Sequence, residues 1–206
     1  MGNNEEPMIR RPWNHNIHYH KLILRSLPSC RHRALDVGCG QGQLARELAQ
    51  YCKEVIAIDV DHETVSRAGT AGGLTARVTL IEGDVMTHPF ADSSFDLITA
   101  VATLHHLQLR PALIRFRNLL RPGGVLAIVG LFRGEPLRDW ALASIAFPVS
   151  WAFRCFRGFA DVGAPVQDPR ETLREIRSVC CTLLPGAVLR RRLLFRYSLI
   201  WRKPGG

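Results

Sequence analysis

Leu35-Asp36-Val37-Gly38-Cys39-Gly40-Gln41-Gly42 is the stretch on which the fold of this 206-residue chain turns. Arg33 to Val37 is a short apolar-rich run that breaks into three alternate glycines. Such a run reads as a buried parallel strand. Leu44, Leu48 and Tyr51 follow at helical spacing and predict a helix from Gln41 to Tyr51. Glycines between a strand and a helix let the chain turn sharply and let a ligand approach the backbone at the helix start. The dinucleotide fingerprint needs Gly or Ala at position 43, where this chain has Gln43, so the spacing disfavours a nicotinamide or flavin site. Asp36 places a carboxylate just before the first glycine, where it would repel a pyrophosphate and attract a cation.

The pattern continues outward. Glu54–Asp59 predicts a second strand, and Asp61 caps a helix to about Ala68. Residues 77–82 and 95–100 predict the third and fourth strands. Pro111 opens a helix that ends near Leu120, Pro122-Gly123-Gly124 predicts a turn, and Val125–Gly130 a fifth strand. Asp168-Pro169 is expected to cap a helix reaching about Leu183. Val188–Leu194 and Tyr197–Trp201 read as a closing antiparallel hairpin. Strand and helix in alternation specify an α/β fold: a doubly wound, mostly parallel seven-stranded sheet with helices on both faces. The chain divides into an N-terminal arm (1–32), a core (33–130), an aromatic insert (131–167), and a helix and hairpin (168–206) that complete the same domain.

Two further carboxylates sit at predicted strand ends. Asp59 closes the second strand, where a carboxylate can accept both hydroxyls of a ribose, although a helix cap is the alternative. Asp84 follows the third strand, with a plain turn as its alternative. Ligands of open α/β sheets bind at these C-terminal strand ends. A ligand with a cationic centre, a ribose diol and an adenine, but no phosphate, suits them, and S-adenosyl-L-methionine is such a ligand.

Over residues 33–130 the chain resembles the class I S-adenosylmethionine-dependent methyltransferases. The resemblance rests on Ala34-Leu-Asp-Val-Gly-Cys-Gly-Gln-Gly42, Val55-Ile-Ala-Ile-Asp59, Glu82-Gly-Asp-Val85, Phe95-Asp-Leu-Ile-Thr99 with Leu104-His-His-Leu107, and Leu120-Arg-Pro-Gly-Gly-Val-Leu126. The closing Tyr197-Ser-Leu-Ile-Trp-Arg-Lys203 resembles the family's last strand pair. The resemblance implies that Gly38, Gly40 and Gly42 underlie the methionine part, with Asp36 beside them. It implies that Asp59, with Val60, holds the ribose, that Asp84 and the Val85 amide hold the adenine, and that a carbonyl near Val101 takes the ammonium. S-adenosyl-L-homocysteine would be the product, and no metal is implied.

Methyl transfer is an in-line displacement in which the enzyme chiefly aligns donor and acceptor, with a base needed only for a protonated acceptor. The candidate bases are His105 and His106 after the fourth strand, with His15, His18 and His20 in the arm as rivals. For each, a structural histidine is the competing reading. The arm's Trp13-to-His20 stretch holds an indole, a phenol and three imidazoles. It reads as a lid, with Tyr19 near the methionine carboxylate and His15 or His18 facing the acceptor; an arm packed on the sheet is the alternative.

The remaining composition bounds partners. The net charge is +9, and it is lopsided: residues 1–102 hold 10 Lys/Arg against 12 Asp/Glu, residues 103–206 hold 17 against 6. The cations are 24 Arg and 3 Lys, scattered except for Arg190-Arg191-Arg192, with no nucleic-acid module motif, so a solvated face is preferred to a nucleic-acid footprint. Six cysteines without a CxxC pair fit neither a disulfide framework nor a zinc site and suit a reduced cytoplasmic setting. No run of 18 apolar residues spans a membrane. Seven of the sixteen aromatics fall in 131–160, which read as an acceptor cap, as sheet packing, or as a peripheral membrane contact among arginines. The expectation is a methyltransferase acting on a small-molecule acceptor, as monomer or homodimer. An RNA methyltransferase and a non-catalytic S-adenosylmethionine-binding subunit are the alternatives.

Overall fold

The computed structural model describes residues 17–70, 72, 75–134, 168–193 and 195–205. His15 and the aromatic insert beyond residue 134 lie outside them, as does the side chain of His18.

Seven strands form one sheet: β1 (Arg33–Val37), β2 (Glu54–Asp59), β3 (Val78–Glu82), β4 (Phe95–Val101), β5 (Leu120–Leu131), β6 (Val188–Arg191) and β7 (Arg196–Arg202). The order is β3-β2-β1-β4-β5-β7-β6. β1 to β5 are parallel, and β7 runs antiparallel to both β5 and β6. The chain moves outward from β1 through β2 to β3, then returns to place β4 on the other side of β1. This reversal opens a crevice at the C-terminal ends of β1 and β4, the ligand position of doubly wound sheets.

Five α-helices are described: α1 (Ile17–Arg25), α2 (Gln43–Leu48), α3 (His62–Thr70), α4 (Leu109–Leu119) and α5 (Leu173–Leu183). The central strands are buried on both faces, which is why β1 and β4 are rich in apolar residues, interrupted only by Arg33 and Asp36 in β1 and by Asp96 and Thr99 in β4. One core layer joins α4 and α5 to the sheet through Leu113, Phe116, Ile176, Tyr197 and Trp201. The other packs α1 and α2 through Tyr19, Ile23, Leu44 and Leu48. Among the described residues no helix is long and apolar enough to cross a membrane.

Several local expectations shift. Gly42 sits at φ 71°, so α2 begins only at Gln43 and ends at Leu48, and Tyr51 lies beyond it, 46% exposed. Pro122-Gly123-Gly124 does not end one element and start another. It is an irregularity inside β5, where pairing with β4 jumps from Phe95–Leu120 to Leu97–Val125. The cap of α5 is Thr172, not Asp168: its hydroxyl accepts the Glu175 N–H and Glu175 accepts the Thr172 N–H, a reciprocal capping box. Phe132, counted with the insert, is buried in the core.

Candidate functional site

The crevice is a cavity of about 350 Å³. Of the residues singled out in the sequence, Asp36, Gly38, Gly40, Asp59, Val60, Asp84, Val85, Val101 and His106 line it. Gly42, Tyr19 and His105 do not: Gly42 begins α2, Tyr19 is buried between α1 and the sheet, and His105 is buried behind His106.

The glycine loop is tied to β2. The Gly38 and Cys39 N–H groups both donate to the Ile58 carbonyl, at 2.8 and 3.2 Å. Gly38 is at φ 65°, and a methyl group there would overlap the Thr103 side chain. Asp59 reaches across from β2: its Oδ2 accepts the Gly40 N–H at 2.9 Å and its Oδ1 the Asp61 N–H at 3.1 Å. Asp84 Oδ1 accepts the Met86 N–H at 2.8 Å, which holds the turn after β3. The Val101 carbonyl accepts the Thr103 hydroxyl at 3.1 Å. Ala102 then occupies the left-handed region at φ 54°, a conformation that costs a non-glycine residue about 1–2 kcal/mol. Strain of this kind concentrates at ligand sites.

Asp36 is the most informative residue. It is 2% exposed, and its Oδ1 accepts the Thr99 hydroxyl at 2.8 Å. Its Oδ2 is buried with no hydrogen-bond partner among the described residues. Burial raises its carboxyl to about 6, with the Thr99 bond and His20 opposing the rise and Asp59 adding to it. An orphaned buried acceptor calls for an explanation, and a ligand cation is the fitting donor.

The site contains Thr99 and Cys39, to which the sequence reading gave no role, and His20, one of the arm's rival bases. Thr99 lies inside β4 between Ile98 and Ala100, fully buried, and its hydroxyl serves Asp36. His20, on α1, lines the cavity while 5% exposed, with Nδ1 3.1 Å from Glu47 Oε1. Its partner is 27 residues away, so no local pattern marks that pairing. Cys39 also lines the cavity, and burial beside Asp36 and Asp59 pushes its thiol well up, so it stays protonated. The His105 and His106 rings stack at 4.0 Å. Burial, His106 and Arg196 push His105 down to about 4, so it is neutral at physiological pH. Among the described residues no group of three or more His, Cys, Asp or Glu is placed to hold a metal ion.

Asp36 gives the site a pH signature. Its folded pKa lies above its unfolded one, so its contribution to stability is full below about 4 and lost as pH rises through about 6. A bound cation reverses the preference, because it needs the ionised carboxylate. S-adenosylhomocysteine affinity is therefore expected to fall about tenfold between pH 7 and 5, and Asp36→Asn should bind weakly with no such dependence. Calorimetry across that range decides it; an unchanged slope in the variant removes Asp36 from the cation contact.

The geometry has relatives. A family model described as a methyltransferase domain matches residues 35–128. An uncharacterized methyltransferase of Mycobacterium tuberculosis is 38% identical over 198 residues, covering 94% of this chain and 98% of its own. A demethylmenaquinone methyltransferase of Roseiflexus castenholzii is 36% identical over 114 residues, 54% of this chain and 48% of its own. Among solved structures, an S-adenosylmethionine-dependent methyltransferase from Aquifex aeolicus shares the fold, with TM-score 0.61, 20% identity, and 89% and 88% of the two chains covered.

Proposed function

We propose the acceptor class and the residue roles from one premise: this chain belongs to the S-adenosylmethionine-dependent methyltransferases. It transfers a methyl group from S-adenosylmethionine to a small-molecule acceptor in the cytoplasm. The orphaned Asp36 Oδ2 at the sheet's reversal point carries the reading, because a buried acceptor lining this cavity suits a ligand cation.

The cofactor supplies a methyl carbon already activated by a sulfonium. This chain's residues then bind and orient. Asp36 faces the ammonium, Gly38 and Gly40 leave room for the methionine part, Asp59 holds the ribose hydroxyls, and Asp84 with the Val85 amide holds the adenine. Val60 borders the same nucleoside end. The small-molecule acceptor is supported by cations that are scattered along the chain rather than gathered in a nucleic-acid footprint, apart from Arg190-Arg191-Arg192. Five free cysteines among the described residues, two of them exposed, support the reducing compartment.

Calorimetry should give micromolar affinity for S-adenosylhomocysteine and none for NAD. Binding of NAD instead would overturn the cofactor assignment. Nanomolar RNA binding at physiological salt, together with RNA methylation, would replace the small-molecule class by the RNA one.

A further inference from the structure

We infer that the rim of this cavity carries an anion-binding subsite, built from Arg196, Arg192 and His105, that receives a carboxylate or phosphate group of the methyl acceptor. The inference rests on the methyltransferase reading and names the substrate class for it.

The sheet places these groups together. Val101, at the cavity, pairs with Val129 on β5, and two residues further along β5 Leu131 pairs with Arg196 on β7. Arg196 therefore lies at the C-terminal edge of the sheet, two residues beyond the level of Val101, on the side where the cavity opens. Its neighbour Tyr197 is buried in the layer of α4 and α5. Side chains alternate along a strand, so Arg196 and Ser198 point to the opposite face, the one that α1 covers with Tyr19. Arg192 joins them there, its Nε donating to the Ser198 hydroxyl at 2.9 Å. The Tyr19 phenol lies within electrostatic reach of both guanidinium groups, and His105 within reach of Arg196.

Two polar groups here lack partners. Arg196 Nε is buried with no hydrogen bond among the described residues, and no carboxylate there pairs with this guanidinium. His105 is 8% exposed, and its Nδ1 is likewise buried and unpartnered. A half-buried arginine with no counter-charge among the described residues is costly, and a planar fork of donors matches a carboxylate or phosphate. His105 stacks on His106, which lines the cavity, so the subsite adjoins the cofactor's side of the crevice. An anion held there would fix the acceptor in orientation, the main contribution an enzyme makes to this displacement.

The test uses the protein loaded with S-adenosylhomocysteine, titrated with inorganic phosphate, benzoate and neutral benzyl alcohol, and followed by the histidine ring signals in NMR. Phosphate or benzoate should saturate in the low millimolar range and shift His105, the tighter of the two naming the acceptor's anionic group. Arg196→Gln should weaken that binding at least tenfold and Arg196→Lys less. Arg190→Gln, an exposed neighbour, should leave it unchanged. All three should keep S-adenosylhomocysteine affinity within threefold. If Arg196→Gln fails to fold, the Lys variant and the wild-type His105 shift carry the test. The subsite is overturned if neither anion saturates, if both bind the Arg196 variants as well as wild type, or if benzyl alcohol binds as tightly as benzoate. Failure to take up S-adenosylhomocysteine at all would instead overturn the cofactor reading, and the anion titration of the unloaded protein would still report on Arg196.

Discussion

Gly38→Ala is expected to abolish measurable S-adenosylhomocysteine binding. Two costs combine at this position. The residue sits at φ 65°, where a side chain loses about 1–2 kcal/mol, and the added methyl would overlap Thr103. Forcing an atom into filled space costs about 1–3 kcal/mol more. Relief must come from moving Thr103 or the loop, and both alter the cavity wall. Thr103 bonds the Val101 carbonyl, and the loop's Gly38 and Cys39 N–H groups are fixed to Ile58. Gly72→Ala is the control. Its φ is 71°, but a methyl there meets nothing within 4 Å, so it should lose a comparable backbone cost while binding the ligand normally. Calorimetry and thermal melts of both variants check this. Binding by Gly38→Ala within threefold of wild type would mean that the cradle does not hold the ligand.

The parts legible in the sequence were those whose cause is local. β1 and β2 keep their predicted bounds because each is a short apolar run ended by a glycine or an acid. Asp36, Asp59 and Asp84 could be placed at one edge because strand ends in a parallel sheet share a side. Tyr51 failed because apolar spacing said nothing about Gly42, whose left-handed backbone shortens the helix from its start. Thr172 was overlooked in favour of Asp168-Pro169, although Thr172 with Glu175 three residues later is itself a sequence signal for a capping box. Arg196 was not legible at all, and His20 stood only as one of three rival bases in the arm, its place against Glu47 unforeseen. Each owes its place to a partner brought by folding: Glu47 on α2 for His20, and the pairing of β7 with Leu131 for Arg196. The residues proposed to bind the cofactor are thus marked by local pattern, whereas those proposed to lie beside the acceptor depend on tertiary placement.

Asp59→Ala should weaken S-adenosylhomocysteine binding by about 1.5–3 kcal/mol, roughly ten- to 150-fold, the range for hydrogen bonds to a charged group. Two effects are mixed in that loss. Asp59 anchors the loop by accepting the Gly40 and Asp61 N–H groups, and it is the proposed partner of the ribose hydroxyls. A carboxylate has about four lone-pair sites, so two backbone bonds leave capacity for a diol. The two effects separate with a ligand that lacks the hydroxyls. Loop anchoring alone predicts the same loss for S-adenosylhomocysteine and its 2′,3′-dideoxy analogue. The ribose role predicts that wild type already binds the analogue more weakly, and that Asp59→Ala costs it clearly less. Asp59→Asn refines the division, since the amide oxygen can still accept one backbone N–H but brings no charge. It should fall between wild type and Ala for the full ligand. Equal losses for both ligands in the Ala variant would leave Asp59 as a loop anchor and move the ribose contact to another residue of the cavity.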